Sequence, residues 1–557
     1  MISRREYSRY LYFWLLICSF LLVVYLVYHT SLHTLDSDAS SELVLAKHLA
    51  QTNRLISEDW FYSTELRVLN TQLIYAPLFK IFDSFRKVRF AGALILTGIM
   101  WLSYGYLARQ LKLKLNTFLV SSAVLILPTS IAYARITLFH SYYAPHISIS
   151  FLIIGLFLSI CDKKSSRPVL RYAKIAACLI LCFLSTLGGI RQLLITVLPL
   201  CLTVLIKLYQ STHLMLKERG LRGYIKEFKN YCDKNLKTAF YLLIPTLLVG
   251  LIGYVVNLGI LSNIYTFTDH ADLTLKAPGA DIAYGLLNGL LSLFGYNPGT
   301  GALSVYGILS MLSVIAFVVV LLLIINSARK KGTLSASNSV IFFISTFAIN
   351  TFLFFITRNY FPLYYIPVLV YLIPMLAVLF DAESRTEKCK FSIRNLVIGC
   401  IAVLCCFNSF ASAYYIINKT EDVNIQYTGL TYGNIHIVRD LAGVVDFLLA
   451  QSYSYGFAAF WNSNILTEMS NDAIKVSPVS NDFSSYDEWL TLRYYQDDDF
   501  HSGKTFVLFS KGDMERVAPE THPFYSEGKE VYSDSFCTVL HFDDVRDIQA
   551  HLKNAVQ

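Results

Sequence analysis

The sequence predicts an α-helical polytopic membrane protein of about eleven transmembrane helices, carrying a small extracytoplasmic α/β domain at its C-terminus. Composition is the first observation behind this. Hydrophobic residues make up 55% of the 557 residues and charged residues 15%, with a mean hydropathy of +0.48. A soluble core cannot hide that much apolar surface, so the bilayer must act as the solvent. The second is recurrence: apolar runs long enough to span fall near 10–30, 90–108, 116–134, 147–161, 175–189, 192–207, 238–258, 303–327, 337–357, 361–380 and 395–414. The third is a split in charge. From residue 414 onward there are 10 Lys+Arg against 21 Asp+Glu, whereas the preceding part is strongly basic. Residues 1–413 therefore read as the membrane bundle and 414–557 as a soluble acidic domain.

The first run follows Arg4, Arg5 and Arg9, is too long for a signal h-region and lacks a small-residue cleavage site. It reads as a retained helix with its N-terminus in the cytoplasm. Alternation then places five connections inside: Arg109 to Lys114, Asp162 to Lys174, Lys207 to Lys237, Arg329 to Lys331, and Asp381 to Arg394. All are rich in Lys and Arg, as the positive-inside rule requires. The basic excess is thus matched to membrane lipid, not to nucleic acid. An odd number of spans puts the acidic tail outside, together with the 31–89 loop and the 259–302 connection. Within the first loop Thr71–Phe82 is apolar but too short to span and contains Pro77, which predicts an interfacial helix; Leu286–Phe294 reads similarly. Arg86, Lys87 and Arg89 run against the charge rule. In the tail YGFAAFW, KTFVLFS and CTVLHF read as strands and Ile435–Leu449 as a helix. Cys537 stands alone there, so the tail has no internal disulfide.

The chemistry-bearing pattern opens the first outer loop. LDSDASSE places Asp36, Asp38 and Glu42 within seven residues, with Asp38 and Glu42 one helical turn apart. A carboxylate at the membrane surface can take a proton from an incoming hydroxyl or hold a divalent cation; a plain helix cap is the structural alternative. Further along, Glu65 and Arg67 sit among aromatics in EDWFYSTELR, a composition suited to stacking on sugar rings. Arg135, Arg191 (in LGGIRQ) and Arg358 (in ITRNYFP, with Tyr360) fall on the outer side, against the charge bias. Snorkelling accounts for one such cation; three on one face favour an anion there, with a lipid-linked phosphate the obvious candidate. His140 and His146, in FHSYYAPH, flank the same mouth and can donate to phosphate or to sugar hydroxyls.

The stretches LDSDASSE, EDWFYSTELRVLNTQLIYAPLF and GGIRQ, with FWNSNILTEMSN in the tail, resemble the GT-C superfamily of membrane glycosyltransferases. Among these, the bacterial enzymes that modify O-antigen with glucose are the group resembled. The resemblance implies inverting transfer of a hexose such as glucose from a polyprenyl-phosphate-linked donor to a surface glycan, at the outer face of a bacterial cytoplasmic membrane. It implies one essential acid in the first loop, for which Asp36 and Asp38 compete, and outer arginines that stabilise the leaving phosphate. It implies no cofactor, although D-x-D leaves a divalent metal open. The alternatives are a transporter or flippase, which would show charges or broken helices near mid-bilayer, and a polymerase or ligase of lipid-linked glycans, which would carry its catalytic loop late in the chain.

Overall fold

A computed structural model describes residues 4–33, 35–64, 66–162, 168–211, 234–267, 289–296, 301–329, 334–357, 362–386, 393–418, 425–427, 430–432, 437–517 and 522–554. Helices stand at all eleven expected places: α1 (Arg4–His33), α4 (Phe85–Gln110), α5 (Leu115–Ile126) continued by α6 (Ile131–Phe139), α7 (Ala144–Cys161), α8 (Pro168–Thr186), α9 (Leu193–Ser211), α10 (Lys234–Gly259), α11 (Val305–Arg329), α12 (Leu334–Thr357), α13 (Ile366–Thr386) and α14 (Ile393–Asn418). The first loop supplies α2 (Ser37–Thr52) and α3 (Gln72–Phe79) between α1 and α4. Among the described residues eight helices are long and apolar enough to cross a membrane, or nine if the bent α5–α6 pair is one span. The apolar stretches of α12 and α13, Asn338–Leu353 and Ile366–Ala382, are shorter. The chain is a multi-pass helical bundle.

The run expected as one span over 116–134 is broken. α5 and α6 meet at 85°, because Leu127 precedes Pro128 and is driven out of the helical region, to φ −74° and ψ 141°. Ser130 then caps the new helix by accepting from the Tyr133 N–H at 3.0 Å. The bend carries Arg135, where α6 winds into a π-helix, toward the first loop.

The bundle core is one continuous apolar cluster in which Tyr104 packs on Phe151 and Phe151 on Tyr371, ring centroids 5.5 and 6.4 Å apart. At one end the connections between spans gather. Lys112 pairs with Asp162 at 2.8 Å, and buried Asp381 accepts from the Lys114 N–H and the Thr117 hydroxyl, both at 2.6 Å. The other end carries the first loop, its 71–82 segment helical from Gln72 to Phe79 as expected. There α3 lies so close to α4 that a Cβ on Gly92 would stand 2.1 Å from the Tyr75 ring, which is 1% exposed. Gly92→Leu is expected to cost about 2 kcal/mol or more through overpacking, read as a lower midpoint in thermal unfolding of the detergent-solubilised protein.

Two short parallel strands, β1 (Phe61–Tyr62) and β2 (Thr266–Phe267), bring the 259–302 connection to this same end. Residues 289–293 are helical at the place expected for an interfacial segment. After the hairpin of β3 (Ile425–Tyr427) and β4 (Leu430–Tyr432) comes the C-terminal sheet region. Its helix α15 (Ile437–Ala450) buries Ile437, Leu441, Val444, Val445 and Leu448 at helical spacing. Its sheet holds β5 (Tyr455–Ala459), β6 (Lys475–Val479), β7 (Thr505–Ser510), β8 (Lys529–Ser533) and β9 (Cys537–Phe542) in the order β6-β5-β7-β9-β8. β5 runs parallel to β6 and β7, and β9 antiparallel to β7 and β8. β5 is buried along its whole length, as a central parallel strand covered on both faces must be. The expected strands KTFVLFS and CTVLHF are β7 and β9. YGFAAFW divides, its last two residues opening helix α16 (Phe460–Met469) instead.

The tail is not free of the bundle. Leu490, Leu492, Tyr495 and Phe460 share one apolar cluster with Leu43, Val44, Trp60 and Tyr62 of the first loop. The Phe61 N–H donates to the Thr491 carbonyl at 2.9 Å and the Arg493 N–H to the Asp59 carbonyl at 2.8 Å.

Candidate active site

The site is built on the first turn of α2. Asp36 is its N-cap, with extended backbone, and its side chain accepts from the Asp38 N–H at 3.0 Å. Its other oxygen takes the Arg135 guanidinium. Burial alone would raise the Asp36 carboxyl. Arg135, with smaller help from His140 and the Asp38 N–H, overrides it and holds the group below the ordinary carboxylate range. Asp36 is therefore a fixed anion, capping a helix and pairing a cation.

Asp38 differs in every respect. It is half-buried, and among the described residues its carboxylate has no hydrogen bond or ion pair. Desolvation first, then the negative charge of Asp36, lift it to about 7 against the opposing pull of Arg135 and Arg67. A carboxylate with that proton affinity and an accessible face is suited to general-base work. The pattern D-x-D alone does not separate these two acids; their partners do.

Glu42 lies one turn further along α2, 3% exposed. One oxygen pairs with Arg67 at 2.8 Å and the other accepts the Thr71 hydroxyl. It thus ties α2 to the 66–71 segment, which forms one wall of an open cleft. Leu66, Leu69 and Asn70 face His146, Ile149 and Arg191 across a narrow gap. The other wall carries the Gly188-Gly189 turn, where Gly188 sits so near the Leu66 carbonyl that an added Cβ would be 3.0 Å from it. Arg191 lies over the Tyr143 ring at 4.7 Å.

A row of rings connects this cleft to the carboxylates. His140 stacks on Tyr142 at 5.7 Å, Tyr142 meets Tyr143 at 5.1 Å, and Tyr143 meets His146 at 6.0 Å. His140 is 4% exposed and its Nε2 has no hydrogen-bond partner among the described residues. Burial pushes its pKa down to about 3, with Asp36 opposing and Arg135 and Arg89 reinforcing, so the ring is neutral. Tyr142, which reasoning from the sequence passed over, has its hydroxyl pushed far up by burial and by the charges of Tyr143, Asp38 and Asp36. It stays a hydrogen-bond donor.

The structure therefore gathers Asp36, Asp38, Glu42, Arg67, Arg135, His140, His146 and Arg191 at one end of the bundle. Glu65, Arg358 and Tyr360 lie outside the described residues. No group of three or more His, Cys, Asp or Glu is arranged to hold a metal among the described residues. A further pair joins the site unannounced: Arg89 and Glu468, both buried, bond through Nε and Oε1 at 2.8 Å and again through Nη2 and Oε2. The signals for it were Arg89 on the wrong side of the charge rule and Glu468 inside FWNSNILTEMSN.

No protein-family model and no curated protein matches this chain. Solved structures do. The crystal structure of ArnT from Cupriavidus metallidurans bound to undecaprenyl phosphate superposes with a TM-score of 0.54 at 10% identity, covering 94% of this chain and 97% of that one. The same protein in the apo state gives 0.52 at 11% identity, with the same coverage. Over nearly its whole length the chain shares the fold of these two structures.

Proposed function

We propose that this protein is an inverting membrane glycosyltransferase, moving a hexose such as glucose from a polyprenyl-phosphate-linked donor to a surface glycan at the outer face of the bacterial cytoplasmic membrane. The observation that carries the reading is Asp38: a half-buried carboxylate with no hydrogen bond or ion pair among the described residues and with raised proton affinity, beside cations and at the mouth of an apolar bundle. An acceptor hydroxyl gives its proton to Asp38 as its oxygen bonds to the anomeric carbon. The bond from that carbon to the phosphate oxygen breaks, and polyprenyl phosphate leaves with the electron pair. Arg191 and His146, lining the cleft, suit the phosphate, since a guanidinium answers the charge that grows on the leaving group. The crystallised ArnT with its bound undecaprenyl phosphate supports a lipid-phosphate ligand in this fold.

The test is reconstitution in proteoliposomes with undecaprenyl-phosphate glucose, a panel of other undecaprenyl-phosphate hexoses, and lipopolysaccharide as acceptor. Transfer with inverted anomeric configuration is expected; failure to consume any donor in the panel would sink the proposal. Arg191→Ala should raise the donor KM about tenfold or more, the loss of a charge-assisted contact, and leave the acceptor KM within twofold.

The pH dependence follows from Asp38. The base works only when ionised, so activity should rise with pH and level off above about 7. Stability runs the other way. The unfolded chain releases this proton in the ordinary carboxylate range, whereas the folded chain keeps it to about 7. The contribution is thus fully favourable at low pH and is lost as pH rises from the ordinary carboxylate range to 7.

A further inference from the structure

Both residues that flank Asp38 are bonded to side chains or backbone anchored in the C-terminal domain. Ser37, 0% exposed, donates its hydroxyl to the Phe460 carbonyl at 2.5 Å and lies 3.5 Å from the Asn464 side-chain amide. That amide also donates to the Leu490 carbonyl at 3.2 Å. On the other side, the Ala39 carbonyl accepts from Arg89 Nη2 at 3.2 Å, and Arg89 is clamped by Glu468. Asn464 and Glu468 are four residues apart and so project from one face of α16, while Ile465 and Leu466 of the same helix are rooted in the core of the tail domain. Further contacts keep α16 and its continuation in place: Lys47 pairs with Asp472 at 3.0 Å, and the Asn471 side chain accepts from the Phe85 N–H at 3.1 Å.

We infer that the C-terminal domain sets the position of the base, with Glu468 and Asn464 as positioning residues acting on the Asp38 turn through Arg89 and Ser37. This rests on Asp38 as the base. The physical argument is that α2 begins directly after a chain break in helical structure and bears its working carboxylate in the first turn. The first four N–H groups of a helix have no intrahelical partners, and such ends fray. A displacement of about 1 Å at a reacting group costs on the order of 10²-fold in rate. Two contacts hold that turn, one on each side of the base: the Phe460 carbonyl directly, and Arg89 of α4, itself held by Glu468. Because Arg89 also bonds the Ala39 carbonyl, neutralising its partner changes the field at the carboxylates as well as the geometry.

Glu468→Gln in the full-length protein is the direct variant. With undecaprenyl-phosphate glucose as donor, kcat should fall at least tenfold while the donor KM stays within twofold. The acid limb should move below pH 7, because Arg89 left without its carboxylate favours the ionised base. Amide exchange over 36–42 should accelerate at least tenfold in nanodiscs, with α7 unchanged. A kcat within twofold and an unmoved limb would overturn the inference, as would unchanged exchange over 36–42. Should Glu468→Gln be lost from the membrane, Ser37→Ala, which leaves the ion pair intact, decides: it should lower kcat at least fivefold, and activity within twofold of the parent overturns the inference. Full activity in Asp38→Asn would instead refute the base itself, leaving the 36–42 exchange result to stand separately.

Discussion

Asp38→Asn should lower the rate of sugar transfer by at least about 10²-fold, the contribution of a positioned general base, with the protein still inserted and folded. Asparagine is nearly isosteric with aspartate, and the carboxylate it replaces has no protein partner to lose among the described residues. It also removes a group whose ionisation is opposed by burial and by Asp36, so stability at pH 8 should hold or rise. What little activity remains should have lost its acid limb near 7. Asp36→Asn gives a different phenotype. Arg135 is left beside a neutral amide, the cap of α2 is weakened, and the charge that raises Asp38 disappears. Its expected signature is lower thermal stability together with an acid limb shifted to lower pH. Donor consumption and glycan labelling across pH 5–9 separate the two, and an Asp38→Asn protein retaining more than half of its activity would remove Asp38 from the base role.

Much of this arrangement is legible in the sequence. Hydropathy located the helices because a span must be apolar over its whole length, whatever its neighbours. The odd charges pointed to the candidate site because a cation at the bilayer edge needs an answering group. Arg135 and Arg191 both reach the mouth, and Arg89, noted only as an irregularity, is held by the tail. The break at Pro128 was equally present in the sequence. Residues 116–134 pass as one span by hydropathy, and only the Leu127 backbone in front of the proline turns them aside. What hydropathy could not reveal was pairing. Asp36 and Asp38 are the same residue type two positions apart, and their roles divide on where one arginine, arriving from about a hundred residues away, happens to bond. The tail likewise looked separable from residue 414 by its charge. Its contacts with the first loop are single hydrogen bonds, the Lys47–Asp472 ion pair and apolar side chains spread over residues 460–495, which leave no compositional mark.

Glu42 is where sequence and structure give the sharpest contrast, and where the largest stability effect is expected. With three acids within seven residues, the sequence makes Glu42 a candidate substrate-binding residue beside Asp36 and Asp38, a role that calls for an accessible face. Glu42 is 3% exposed, with one oxygen on Arg67 and the other on Thr71. Glu42→Ala leaves Arg67, only 13% exposed at its side chain, without its carboxylate, and breaking a buried pair from one side costs about 3–5 kcal/mol. Thermal unfolding should show that loss. The cleft should suffer with it, since Arg67 and Thr71, which these two bonds tie to α2, lie beside the lining residues Leu66, Leu69 and Asn70; binding of undecaprenyl phosphate should weaken at least tenfold. Glu42→Gln keeps an acceptor for Thr71 and should fall between. If Glu42 touched substrate instead, Glu42→Gln would abolish turnover while leaving the unfolding midpoint unchanged. Measuring midpoint and lipid-phosphate affinity on the same two variants distinguishes a brace from a binding residue, because a brace must lose both in proportion.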